Sequence, residues 1–214
     1  MNEGLQRRFT SKTAGGVKLQ TRADGALPLI VGYAAVFYRE GDPGTEFELW
    51  PGVVERIMPG SFDRALGEDD TRALFNHETG AVLGRKSSKT LRLSVDERGL
   101  RYEIDPPDTT LARDLITSIQ RGDISGSSFA FVPRATEWRD SDDRKTTYLH
   151  RTDMALFDVG PVTYPAYSGT DAGVRTAAGD LTGDRVKWEK RNAARDLAAL
   201  DLLALEMLLS EIGT

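Results

Sequence analysis

Residues 27–164 consist mostly of short runs rich in β-branched and aromatic residues, separated by glycine, proline and aspartate. The pair 90–95 and 100–105 alternates apolar and polar residues around DERG, which predicts a β-hairpin. Runs this short and this often interrupted favour a mainly β domain, a barrel or a sandwich, over a parallel α/β sheet. The strand candidates are LPLIVGYAAVF (27–37), EFELW (46–50), VVERIM (53–58), TRALFN (71–76), TLRLSV (90–95), LRYEID (100–105), SSFAFV (127–132) and TTYLHRTDMALFDVGPVTY (146–164).

Two segments between these strands have a helical pattern. PGSFDRALG (59–67) predicts a short helix that ends at Gly67, and DTTLARDLITSIQRG (108–122) predicts a longer one that ends at Gly122. The second segment places apolar residues four positions apart on one face. We therefore predict an α+β fold that is mainly β with peripheral helices.

The two ends of the chain differ from this β-rich region. Residues 1–26 are polar and lack a sustained period, which predicts a flexible N-terminal arm before a domain at 27–168. Small residues at 169–183 predict a linker. Residues 184–213 predict a C-terminal helix whose apolar residues cover more than one face. A surface this wide favours self-association as a homodimer or another homo-oligomer.

Composition removes several kinds of chemistry. The chain has no cysteine, which excludes thiolate nucleophiles, disulfides and cysteine–zinc sites, and its two histidines disfavour a multi-histidine metal site. A net charge of −5 gives no electrostatic footprint for nucleic acid, and no apolar run approaches the ~20 residues that span a bilayer. No phosphate-binding glycine motif is present. We expect no metal, cofactor, nucleic-acid or membrane partner, and a cytosolic protein.

Catalysis by serine, histidine and a carboxylate remains open. Serine acyl transfer needs a nucleophile, a neutral imidazole that accepts its proton, and a group that orients the imidazole. His77 lies in FNHETG, at the end of a predicted strand and before a glycine turn. This position favours His77 as the candidate base, although a histidine in a surface turn gives the same pattern.

The nucleophile would come from the cluster ISGSSFAF, which offers Ser125, Ser127 and Ser128. In a strand, alternate side chains point to opposite faces. Ser127 then shares the apolar, inward face with the two phenylalanines that follow. Ser128 shares the other face with Ala130, whose small side chain leaves room for a substrate. The alternation favours Ser128.

Asp158 is the candidate for the third position. It lies in the apolar run MALFDVGPVTY, where a carboxylate is costly to bury unless a partner compensates it. His77 would be such a partner. His150 and Asp153 lie on the same predicted strand and are alternatives, so the residues alone leave this position open.

Three motifs, taken in order, resemble those of the tailed-bacteriophage prohead protease family. They are NHE (76–78), GSSFAF (126–131) and DVGPVTYPA (158–166). The runs GYAAVF and IMPGSFDRAL also look like the first strand and first helix of the family, so the resemblance covers about residues 28–168. The family usually has glutamate at the position of Asp158, and a Ser–Leu-like pair where this chain has Gly160–Pro161.

The resemblance implies a fold similar to that of the herpesvirus assembly protease, a β-barrel of crossed antiparallel sheets. It implies a serine endopeptidase inside the prohead, in the cytoplasm of the bacterial host. Its substrates would be the major capsid protein and scaffolding segments, and it would cleave itself. The competing class is a non-catalytic capsid- or scaffold-binding module with the same barrel.

By position in the motifs, the resemblance also assigns roles to the site residues. His77 would be the general base, Ser128 the nucleophile and Asp158 the acidic residue of the site. The herpesvirus relatives use a second histidine as the third member, which keeps His150 as the alternative to Asp158.

Overall fold

The computed structural model describes residues 4–10, 15–23, 25–164, 183–195 and 197–198. The chain divides into two compact units, Met1–Thr176 and Ala177–Thr214. Within the described part of the second unit, residues 183–195 are helical (α3). The predicted linker, apart from its last residue, and the C-terminal part of the predicted helix from 199 onward lie outside the described residues. Among the described helices, none is long and apolar enough to cross a membrane.

The first unit is built mainly from β-strands, as the sequence predicts, with two α-helices and one short 3₁₀ helix at Pro43–Thr45 in its described residues. The helices are α1 Asp63–Glu68 and α2 Thr110–Arg121. The strands are β1 Gln6–Thr10, β2 Lys18–Gln20, β3 Leu29–Val36, β4 Glu46–Trp50, β5 Val53–Ile57, β6 Arg72–Leu74, β7 Val82–Arg85, β8 Leu91–Val95, β9 Gly99–Ile104, β10 Gly126–Asp140 and β11 Thr147–Val162.

These strands form two sheets. The larger has the order β1-β10-β11-β5-β4, and β6 joins it by pairing with β11 and β7; the smaller has the order β2-β3-β9-β8. The long strand β11 pairs antiparallel with β10, and parallel with β5 near its start and with β6 near its end. The described strands do not close into one barrel, so the barrel expected from the resemblance is not confirmed.

Residues 1–26, predicted to be a flexible arm, contain two strands of these sheets. β1 pairs with β10, and β2 pairs with β3. The apolar pattern that marks a strand is missing from β1 because three of its buried side chains are polar: Gln6, Arg8 and Thr10. A buried polar strand has the composition of an exposed coil, so the sequence pattern indicates the wrong state.

α2 forms where the sequence predicts a helix. Its N-cap is Thr109, whose hydroxyl accepts a hydrogen bond from the N–H of Ala112 at 3.3 Å. Gly122 ends the helix with a φ of 84°, a left-handed conformation that favours glycine. Because the helix ends there, the chain turns directly into β10.

The core gathers side chains from both sheets and from α2. On β10, Phe129 and Phe131 are buried, and their ring centroids lie 5.0 Å apart. Phe62, just before α1, meets Phe129 edge-on at 5.7 Å. Since strand side chains alternate, this fixed inward face leaves Ser128 and Ala130 on the opposite face of β10.

A buried ionic cluster joins β1 to the centre of the larger sheet. Glu55 on β5 forms ion pairs with Arg8 on β1 and with Arg151 on β11, where the Nε–Oε1 distance is 2.7 Å. All three side chains are almost fully buried. Burial alone would raise the pKa of Glu55, but the charges and hydrogen bonds of the two arginines outweigh it and lower that pKa.

Glu55→Gln is expected to lower the free energy of unfolding by about 3–5 kcal/mol, because it leaves two buried guanidinium groups without a counter-charge. Urea unfolding followed by circular dichroism measures this. Glu48→Gln is the matched control, since Glu48 is exposed on the neighbouring strand β4 and should change stability little. An equal effect of the two substitutions would contradict the prediction.

Candidate active site

His77 lies in the turn between β6 and β7, in an unusual backbone conformation. Asn76 and His77 both have positive φ, 53° and 60°. Residues other than glycine rarely adopt this left-handed region, although asparagine tolerates it better than most. Each such residue costs on the order of 1–3 kcal/mol and persists only where the surrounding structure holds it in place. The turn therefore needs a tie to the rest of the fold.

Asn76 supplies that tie through three hydrogen bonds, one to Pro161 on β11 and two to Thr163 just after that strand. Its backbone N–H donates to the carbonyl of Pro161 at 3.1 Å. Its side-chain Nδ2 donates to Thr163 Oγ1 at 3.0 Å, and its Oδ1 accepts from the N–H of Thr163 at 2.8 Å. The side chain thus bonds both to the backbone and to the hydroxyl of one residue, and it fixes the turn that presents His77.

The imidazole of His77 lies between a carboxylate and a hydroxyl. Its Nδ1 is 2.5 Å from Asp158 Oδ1, and its Nε2 is 2.5 Å from Ser128 Oγ. When Asp158 accepts a hydrogen bond from Nδ1–H, Nε2 has a free lone pair that can accept the hydrogen of the Ser128 hydroxyl. The structure therefore brings together the three residues favoured by the sequence patterns, in the order that a serine–histidine–acid triad requires.

The strand alternation also separates the competing serines. Ser127 Oγ lies 2.7 Å from the hydroxyl of Tyr102, on the buried side of β10. Burial raises the pKa of Tyr102, so its hydroxyl stays protonated and can donate to Ser127. The backbone carbonyl of Ser125 accepts a hydrogen bond from the N–H of Val17. Of the three serines, only Ser128 is hydrogen-bonded to His77 among the described contacts.

The lack of a side chain at Gly160 allows close packing of β6, which leads to His77, against β11, which carries Asp158. Gly160 pairs with Ser128 across the β10–β11 ladder. A Cβ atom at this position would lie 2.0 Å from the carbonyl oxygen of Leu74 on β6, which no real side chain can do.

The two alternatives for the third position lie elsewhere on β11. His150 precedes Asp158 by eight residues, about 26 Å along an extended strand. Its ring packs near Tyr38 and Tyr148, and both ring centroids lie 6.5 Å away. Asp153 lies 3.7 Å from Arg64 and from Arg134. Neither alternative contacts His77.

His150 makes stability depend on pH. Its burial, followed by the charges of Arg56 and Arg139, lowers its pKa, and Glu137 opposes this only in part. The unfolded chain then binds a proton at His150 more readily than the folded chain does. The stability is fully present above the unfolded pKa of about 6.5 and is lost as the pH falls through the lowered pKa of the folded protein.

His150→Gln should therefore be less sensitive to acid than the wild-type chain. Urea unfolding of both proteins at pH 7.5 and pH 5.5 measures the difference. The stability of the wild type relative to His150→Gln should decrease on acidification. A stability difference that does not change with pH would show that His150 titrates alike in the folded and unfolded chains.

In the described part of the chain, three or more histidine, aspartate or glutamate side chains nowhere gather in a way that could hold a metal ion. The contacts of the candidate site are made by one serine, one histidine and one aspartate, which matches acid–base and nucleophilic chemistry.

Comparison with known proteins gives one match. The family described as caudovirus prohead serine protease matches residues 17–185 of this chain. This range contains all three residues of the candidate site and, of the strands that the structure describes, all except β1. No curated protein and no solved structure matches.

Proposed function

Because the chain belongs to the caudovirus prohead serine protease family, we propose that it is a serine endopeptidase that matures the prohead. Its substrates would be the major capsid protein and scaffolding segments, inside the prohead in the host cytoplasm. One observation carries the proposal: His77 contacts both Ser128 and Asp158 at 2.5 Å. The alternative, a non-catalytic binding module, requires no such contact.

In the proposed mechanism, His77 Nε2 accepts the hydroxyl proton as Ser128 Oγ attacks the scissile carbonyl carbon. The imidazolium then donates that proton to the leaving amine as the C–N bond breaks, and an acyl-enzyme remains. Water, activated by the same imidazole, releases the acyl group. Asp158 holds the Nδ1–H tautomer and stabilises the imidazolium in both steps.

The aspartate at position 158 fits this mechanism even though the family usually has glutamate there. Aspartate is one methylene shorter, so the imidazole must lie closer to β11. Gly160 permits that approach because the Leu74 carbonyl occupies the space that a side chain would fill. We infer that the two departures from the family pattern compensate each other.

Three finer parts of the proposal rest on the sequence. Self-cleavage and the kinship with the herpesvirus protease barrel follow from the motif resemblance. Homo-oligomer formation follows from the apolar faces of the C-terminal helix, of which residues 183–195 and 197–198 are described. Sedimentation of the full chain and of a chain truncated after Thr182 would test the role of this helix in association.

The proposed activity can be tested by co-expression with the major capsid protein of the same phage. Mass spectrometry of the assembled particles would compare the intact enzyme with Ser128→Ala. We expect a shortened capsid protein only with the intact enzyme. Full-length capsid protein in both samples would reject the protease in favour of the binding module.

Asn76 is proposed as a positioning residue for His77. Asn76→Ala should lower kcat by about 10- to 100-fold with little change in KM, because a small displacement of a catalytic group is costly for the chemical step. Asn76→Asp, which keeps the oxygen that accepts from Thr163, should recover part of the loss. Thr79→Ala, in the same exposed turn, is the matched control and should leave kcat unchanged. Equal kcat values for Asn76→Ala and Thr79→Ala would contradict the role.

A further inference from the structure

Ser128 has no exposed surface, although a nucleophile must reach the carbonyl of a polypeptide. The strand that covers its edge of the sheet is β1. It is the end strand of the larger sheet and pairs antiparallel with β10, from Gln6 opposite Phe131 to Thr10 opposite Ser127. Without β1, β10 would be the edge strand of its sheet, and Ser128 would lie on that edge strand.

β1 contacts two of the three residues of the candidate site. Phe9 is the cross-strand partner of Ser128, and its ring meets the His77 ring edge-on with centroids 6.3 Å apart. The carbonyl oxygen of Arg8 accepts a hydrogen bond from Ser128 Oγ at 2.9 Å. A hydroxyl has one hydrogen, so a hydrogen donated to Arg8 is not available to His77 Nε2. The docked strand thus competes with the base for the proton of the nucleophile.

The departure of β1 would not leave a buried charge without a partner. Glu55 forms ion pairs with both Arg8 and Arg151, and only Arg8 lies on β1. If β1 undocks, Arg8 takes one positive charge away and a neutral Glu55–Arg151 pair remains. In addition, β1 precedes the family match, which begins at residue 17. The strand therefore lies outside the part of the chain that matches the family, and its departure leaves Glu55 with a partner.

We propose that the edge of β10 now covered by β1 is the binding edge for an extended segment of the polypeptide substrate. The proposal rests on the proposed protease function and adds where the substrate binds. A substrate strand pairs antiparallel with β10 in place of β1, and main-chain hydrogen bonds supply much of its affinity. Its scissile carbonyl then lies beside Ser128, where the carbonyl of Arg8 lies now.

β1 is therefore a built-in occupant that substrate must displace. The rate of reaction at Ser128 is the rate of the open form multiplied by the fraction of molecules in which β1 is undocked. Fixing β1 to β10 should lower the rate, and weakening its contacts should raise it. If β1 instead supports the site, fixing it should raise the rate or leave it unchanged. Weakening its contacts should then lower the rate or leave it unchanged.

A reversible lock on the full chain tests the proposal. Arg7 and Ala130 are cross-strand partners, and the natural chain has no cysteine, so Arg7→Cys with Ala130→Cys can form a single disulfide between β1 and β10. The readout is the rate of Ser128 labelling by a small fluorophosphonate, measured by mass spectrometry. The oxidised form should react at least about tenfold more slowly than the same protein after reduction. Arg7→Cys alone, under the same oxidation, is the control.

A second variant tests the opposite change without a disulfide. Phe9→Ala removes the ring that packs on His77 and should speed labelling about three- to tenfold over the wild-type chain. Equal labelling of the oxidised and reduced double variant, or slower labelling of Phe9→Ala, would overturn the proposal. Absence of labelling at long times in the wild-type chain, in Phe9→Ala and in the reduced double variant alike would instead reject the protease function, so the two failures are distinguishable.

Discussion

Ser128→Ala is expected to lower the rate of capsid-protein cleavage by about 10⁴-fold or more, because it removes the hydroxyl that we propose forms the acyl-enzyme. The effect should exceed that of any other single serine substitution. Ser127→Ala removes a buried hydrogen bond with Tyr102, and Ser125→Ala removes a hydroxyl that does not contact His77. Both substitutions should lower the cleavage rate, but by much less than Ser128→Ala does.

Cleavage of the purified capsid protein, followed by gel densitometry over several hours, measures all three variants against the wild type. Thermal unfolding of each variant separates loss of chemistry from loss of fold. Activity near the wild-type level in a folded Ser128→Ala protein would reject Ser128 as the nucleophile. A folded but inactive Ser127→Ala protein would transfer that role to Ser127.

His77→Ala should have an effect of similar size, about 10⁴-fold or more, since members of a triad act as a unit. Without the imidazole, neither the hydroxyl proton nor the leaving amine has a proton carrier. His150→Ala is the matched control, because His150 is the second of only two histidines and lies about 26 Å along β11 from Asp158. It should keep activity within a few-fold of the wild type at neutral pH.

The same cleavage assay, with both histidine variants shown to be folded by circular dichroism, measures this contrast. An inactive His150→Ala beside an active His77→Ala would exchange their roles. It would also require a rearrangement of β11, since the present fold keeps His150 near Tyr38 and Tyr148.

Much of the candidate site follows from local patterns in the sequence. The alternation along SSFAF separates Ser128 from the inward phenylalanines because a strand has a period of two, and that separation needs no tertiary information. Asp158 is indicated by the cost of a carboxylate in an apolar run. That cost indicates a partner, but only the register of β10, β11 and β6 shows that the partner is His77.

The hydrogen bonds that orient the site depend on contacts distant in sequence. Asn76 and Thr163 are 87 residues apart, and nothing in either segment marks the pair. The bonds that Asn76 makes with Pro161 and Thr163 hold the left-handed turn in place. The local signal for this turn is the pair Asn76–His77, because asparagine and histidine adopt positive φ more often than most other residues.

The sequence patterns do not predict how far the sheets extend along the chain. The buried side chains of β1 are polar, and their partners lie on other strands. Arg8 pairs with Glu55, Gln6 accepts a hydrogen bond from Arg151, and Thr10 donates to the carbonyl of Ala34. β10 continues to Asp140, past the predicted end at 132, because the long strand β11 offers it a ladder over its whole length. Pairing with a distant strand overrides weak local propensity in both cases.

The central claim is that His77 activates Ser128 for nucleophilic attack. The most direct measurement is peptide mapping of the full chain after long incubation with a fluorophosphonate probe, for the wild type and for His77→Ala. We predict one adduct, on Ser128, in the wild type and none in His77→Ala. An adduct on another serine, or equal labelling of Ser128 in both proteins, would contradict the account.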